Sequence, residues 1–152
     1  MNSYKASIFE FIGITAVVLS LLFVAYQIQQ TNVIAQTTTE YEIRNNFASN
    51  NEFVMATPEL RGVLLKSSSS DAEYSADEML LMTLFSNRLS NIWQATLLAY
   101  QNGMVSEETY DMLLYDIQSH IRIRPGMHRH WRSTLTEDRG NIIAPLIEQF
   151  LH

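Results

Sequence analysis

Apolar residues follow two patterns along this chain, one continuous and one periodic. Residues 11–26, FIGITAVVLSLLFVAY, form a sixteen-residue run without a charge. A helix rises about 1.5 Å per residue, so the run covers about 24 Å. A bilayer core of about 30 Å calls for about 20 residues. Adding Ile8 and Phe9 before the run and Ile28 after it gives 21 residues, with Glu10 and Gln27 near the two boundaries. Glu10 then lies in the first helical turn, at the positive end of the helix dipole. Tyr4 and Tyr26 flank the run at interfacial positions. The run is apolar on every side, as in a membrane span, whereas a surface helix of a soluble domain is apolar on one. A cleaved secretory signal fits poorly. The basic start is Lys5 alone, and the nearest small-residue site, Val33-Ile34-Ala35, ends seven residues past Ile28. The expectation is an N-terminal segment and transmembrane anchor over residues 1–28.

Beyond the anchor the pattern becomes helical. Residues 27–56 contain no Gly or Pro, and apolar positions recur at Val33, Ile34, Tyr41, Phe47 and Val54. This predicts one long helix leaving the membrane, a helical extension over 29–56, with Thr37, Thr38 and Thr39 as the place for a bend. Residues 57–152 then form a helical domain. Thr57-Pro58-Glu59 is a helix start, with Thr as N-cap and Pro at the first position. That helix runs over 58–66 and is followed by a loop. Ser75 and Glu78 form a capping box opening a helix over 76–102, stopped by Gly103. Its expected apolar face is Leu81, Leu84, Phe85, Leu89, Ile92, Trp93 and Ala99. Ser106 caps the next helix, lined by Tyr110, Leu113, Leu114, Ile117 and Ile121 and ended by Arg124-Pro125. Pro125 opens a short helix to about residue 133. Residues 141–151 read as a last helix, with Pro145 tolerated near its start. The predicted fold is all-α: a single N-terminal transmembrane helix continuing into a small helical bundle of four or five helices.

Composition narrows the partners. Ten basic and sixteen acidic residues give a net charge of −6, which argues against a general nucleic-acid binder. The absence of cysteine excludes a disulfide scaffold. Lys5 is the one positive charge before the anchor, and the first after it is Arg44, sixteen residues past Ile28. The positive-inside rule then favours the amino terminus inside by a single charge, which leaves the side of the helical domain undecided.

Within the anchor, Gly13, Ala16 and Ser20 share one face and form a candidate packing stripe for a second transmembrane helix. Residues 120–132, HIRIRPGMHRHWR, are the densest cluster of unusual side chains and hold three of the four histidines. Arg122, Arg124, Arg129 and Arg132 are candidate contacts for an anionic ligand, lipid headgroup or acidic partner, since guanidinium groups match phosphate and carboxylate geometry. The plainer alternative is that they neutralise the chain's own acidic helices while Trp131 enters the core. His128 and His130 supply too few ligands for zinc and point about 200° apart on a helix. Asp77-Glu78 and Glu107-Glu108 follow Ser caps and read as first-turn charges rather than acid/base dyads. No nucleophile elbow, phosphate loop, zinc-protease signature or Glu-x-x-His pair is present. No catalytic residue, metal ligand or cofactor is implied.

The anchor followed by Gln27-Ile28-Gln29-Gln30-Thr31, then Pro58-Glu59-Leu60, Gly103 before a helix, and Pro125-Gly126 ahead of Trp131 together span most of the chain. In these it resembles a widespread group of uncharacterised bacterial proteins with one N-terminal transmembrane helix and an all-helical soluble domain. It departs from them in lacking Arg soon after the anchor, which weighs against a cytoplasmic domain. The resemblance implies architecture only, and no activity; the expected location is the membrane, a bacterial inner membrane. The expected role is a non-enzymatic accessory or structural subunit, in contact with membrane lipid and with a protein partner or further copies of itself. The competing role is a membrane-attached sensor or regulator acting through the basic cluster.

Overall fold

Local signals at the helix ends set most of the architecture. Pro58, unable to donate a backbone hydrogen bond, stands at the start of a helix after Thr57 in extended conformation. Ser75 accepts from the Glu78 N–H at 3.2 Å, and the Glu78 carboxylate accepts from the Ser75 N–H at 2.8 Å. The capping box is therefore complete. Gly103 takes φ 67°, the left-handed turn that ends a helix and that side chains other than glycine disfavour.

The structure is a computed structural model. It describes residues 2–137 and 141–151, with side chains over 9–135 and 141–151. The helices are α1 (Asn2–Ala56), α2 (Pro58–Lys66), α3 (Ala76–Gln101), α4 (Glu107–Ile123), α5 (His128–Glu137) and α6 (Ala144–Glu148), with a 3-10 turn at Pro125–Met127. No strand occurs among the described residues, and the chain is all-α. It divides into two compact units, Met1–Thr38 and Thr39–His152.

The first unit is the amino-terminal part of α1. Every residue over 9–34 is exposed. The Thr15 and Ser20 hydroxyls donate to the Phe11 and Ala16 carbonyls, each at 2.8 Å, so these polar groups are satisfied inside the helix. Among the described residues, α1 is the one helix long and apolar enough to cross a membrane. The side chains of Tyr4, Lys5 and Ile8 lie outside the described residues.

The second unit has a continuous core. Trp93 of α3 stacks on Trp131 of α5, ring centroids 5.5 Å apart. Around them lie Phe85 and Leu89 of α3, Leu113, Ile117 and Ile121 of α4, Met127, and Ile143 and Ile147 from the tail. Leu60, Val63 and Leu64 of α2 close one side, and Phe47, Phe53 and Val54 of α1 pack against the edge.

Three expectations shift. On α3, Phe85, Leu89, Ile92 and Trp93 are buried, but Leu84 is 54% exposed and Met82, Thr96 and Leu97 are buried in addition. The buried face is centred on Met82, and Leu84 lies about 200° around the helix from it at 3.6 residues per turn. The segment after Pro125 begins as a 3-10 turn and continues as α5 to Glu137 rather than to about residue 133. The last helix is only Ala144–Glu148. The Asn141 carbonyl accepts from the Ala144 N–H at 3.2 Å, because Pro145 has no N–H to give it, so a turn rather than a helical bond precedes Ala144.

Two consequences are measurable. Trp131→Ala should cost about 3–5 kcal/mol, the usual range for a large aromatic removed from a packed core, read as a lowered urea midpoint of the full chain in detergent. The Glu78 carboxyl also accepts from Lys66 Nζ at 2.8 and 2.9 Å. Lys66, then the Ser75 N–H, hold its pKa below the ordinary carboxylate value. A depressed folded pKa contributes stability above the unfolded value and loses it as pH falls through the folded one. The midpoint difference between wild type and Glu78→Gln should be largest near neutral pH and shrink at pH values below the ordinary carboxylate range.

Candidate functional site

Pro125 ends α4 and Gly126 docks the following turn on the loop after α2. The Gly126 N–H donates to the Ser67 carbonyl at 2.9 Å. A Cβ at Gly126 would meet the Ser69 carbonyl oxygen at 2.5 Å and the Tyr74 hydroxyl at 2.6 Å. Only glycine allows this approach. It brings the basic segment over 120–132 beside a loop that is distant in sequence.

The four candidate arginines fall into different settings. Arg122 is exposed in the last turn of α4, where its charge suits the negative end of the helix dipole. Arg124 is half-buried and its Nη1 is buried without a hydrogen-bond partner. Burial lowers its pKa, opposed by the charge of Asp116. Arg132 donates to the Leu151 carbonyl at 2.6 Å and so ties α5 to the tail. Arg129 is exposed on α5 and is the one of the four that lines a cleft. Asp138 and Arg139, part of the same charged stretch, lie outside the described residues.

The three histidines of the segment over 120–132 are each engaged. The His120 ring packs edge-on against Trp93 at 5.9 Å and lies 6.1 Å from the Phe85 ring. Its Nδ1 is 3.0 Å from the Asp116 carbonyl, and the Asp116 carboxylate accepts from Trp93 Nε1–H at 2.7 Å. His128 Nε2 lies 3.0 Å from the Ile121 carbonyl, which can only accept, so that nitrogen carries a hydrogen. His130 Nε2 is 2.7 Å from Ser86 Oγ. The Ser86 hydroxyl is fully buried and donates to the Thr83 carbonyl at 3.0 Å, leaving its oxygen to accept from His130. A nucleophilic serine gives its hydrogen to histidine, which is the reverse arrangement. Among the described residues no three His, Asp or Glu side chains gather as a metal site.

The acidic pairs have local partners. Glu107 accepts from the Tyr100 hydroxyl at 2.9 Å, and Glu108 lies 3.6 Å from Arg44. Gly13, Ala16 and Ser20 are exposed on α1, and beyond its neighbours and the helix's own backbone nothing described lies within 4 Å of where a Gly13 Cβ would stand.

The cleft itself has a volume of about 920 Å³. The loop after α2 brings Asp71, Glu73 and Tyr74 to it, α3 brings Met79, and α5 brings Arg129 and His130. The Tyr74 hydroxyl is buried without a hydrogen-bond partner. Burial, then the nearby Glu78 charge, raises its pKa, so it stays a protonated donor at neutral pH. Sequence reasoning singled out Arg129 and Pro125-Gly126 but missed Tyr74 and the acidic loop. Their only local signal is a tyrosine just before a helix cap.

Gly126→Ala should destabilise the chain by about 1–3 kcal/mol, the typical cost of forcing volume into a packed contact, because two of the three crowding atoms are backbone oxygens; denaturant unfolding of the full chain checks this. No protein-family model, curated protein or solved structure matches the chain.

Proposed function

We propose that this chain is a single-pass membrane protein, a non-enzymatic accessory or structural subunit that acts through helix–helix association with copies of itself or with a larger membrane complex. The observation that carries this reading is the exposed stretch over 9–34, apolar through most of its length. In water each Å² of apolar surface left exposed forgoes about 25 cal/mol. A bilayer removes that penalty, and a helix enters it with its backbone already hydrogen-bonded. The Thr15 and Ser20 hydroxyls, bonded back to their own helix, meet the same requirement. The domain behind the anchor is then a small helical bundle held at the membrane. Gly13, Ala16 and Ser20 give the anchor a face with short side chains, where a second helix can approach closely.

Membrane fractionation tests the anchor. The wild-type chain should stay in the membrane pellet through an alkaline carbonate wash. Leu19→Arg, which places a charge costing about 2.5–3.5 kcal/mol near the helix centre, should be released in part. Quantitative release of the wild type would overturn the reading. Cross-linking in native membranes tests association: Gly13→Ile with Ser20→Ile should reduce the cross-linked species, and an unchanged pattern would remove the stripe from the account.

A further inference from the structure

The cleft beside α5 presents opposite charges that do not neutralise each other. The loop side carries Asp71 and Glu73, and the α5 side carries Arg129. All three are exposed, and none enters an ion pair among the described residues. The Tyr74 hydroxyl adds a buried, unpartnered polar group next to Gly126. Between them the Met79 side chain is partly open to the cleft. A free phosphate or an anionic headgroup would meet Arg129 but also two carboxylates. A simple cation would leave the guanidinium unused. A ligand with both charges and an apolar body satisfies Arg129, the two carboxylates and Met79.

We infer that this cleft binds a small zwitterion with an apolar side chain, an amino acid or a short peptide. Its carboxylate sits on the Arg129 guanidinium, its ammonium on Asp71 and Glu73, and its side chain on Met79. Guanidinium and carboxylate are planar groups that match in paired hydrogen bonds. An ammonium offers three donors to carboxylates that only accept. A thioether adapts to side chains of different shape. The volume falls within the range of about 300–1,000 Å³ usual for small-molecule sites, which leaves room for more than one residue. The inference does not depend on the membrane reading.

Isothermal titration of the full chain in detergent micelles tests it, with L-leucine, L-phenylalanine and their homodipeptides as probes, each also in N-acetylated and C-amidated form. At least one free zwitterion should bind with a Kd of about 1 mM or tighter, and blocking either end should weaken it about tenfold or more. Tightest binding by the free amino acid or by the dipeptide identifies which source the cleft serves. Arg129→Gln and the pair Asp71→Asn with Glu73→Gln should each weaken binding by a similar factor. These side chains are exposed, so the fold is retained. Absence of binding by all four zwitterions at about 10 mM, equal binding of the blocked forms, or unchanged binding by Arg129→Gln would each overturn the inference.

Discussion

Trp131 is the one large aromatic on α5, a helix whose other described apolar anchor is Leu135. Its stack on Trp93 joins α5 to α3, alongside the contact of His130 with Ser86. Trp93 carries a buried N–H that would be costly to leave unpaired, and the Asp116 carboxylate of α4 accepts it. One ring pair thus joins three helices, two by packing and one by a charge-assisted hydrogen bond. The orientation of α5 follows from it, and with that the placement of Arg129 toward the cleft and of His130 toward Ser86.

What was legible in the sequence was the chemistry that acts over a few residues. The bounds of α2, the Ser75–Glu78 box and the Gly103 stop depend on neighbours within one helical turn, and each lies where its residues require. The face of α3 was harder. Leu84 and Met82 are both apolar, and periodicity cannot say which one enters the core; tertiary packing decides in favour of Met82. The tail was overextended because the apolar spacing of Ile143 and Ile147 suits a helix, while Pro145 has no N–H for the Asn141 carbonyl, which closes a turn with Ala144 instead. The cleft was not legible at all. It exists because Gly126 meets a loop more than fifty residues earlier, and no local pattern announces such a meeting.

The two units treat apolar surface in opposite ways. Over 9–34 the chain leaves it bare, while in the second unit twelve large side chains are almost completely buried. The second unit thus has a core of its own, and the stretch over 9–34 has none. Polar groups follow the same division. Those of the first unit close onto their own helix, whereas Trp93, Ser86 and Arg132 reach across elements.

The Lys66–Glu78 contact has an effect beyond the two helices it joins. It closes the base of the loop that carries Asp71, Glu73 and Tyr74, while Gly126 holds that loop near its start. Part of the closure is an ion pair at the surface, with side chains 40% and 28% exposed. Such a pair is screened over about 8 Å at physiological ionic strength. The acidic side of the cleft is therefore fixed partly by packing and partly by a contact that added salt weakens, so its order is tied to the ionic composition of the surrounding solution.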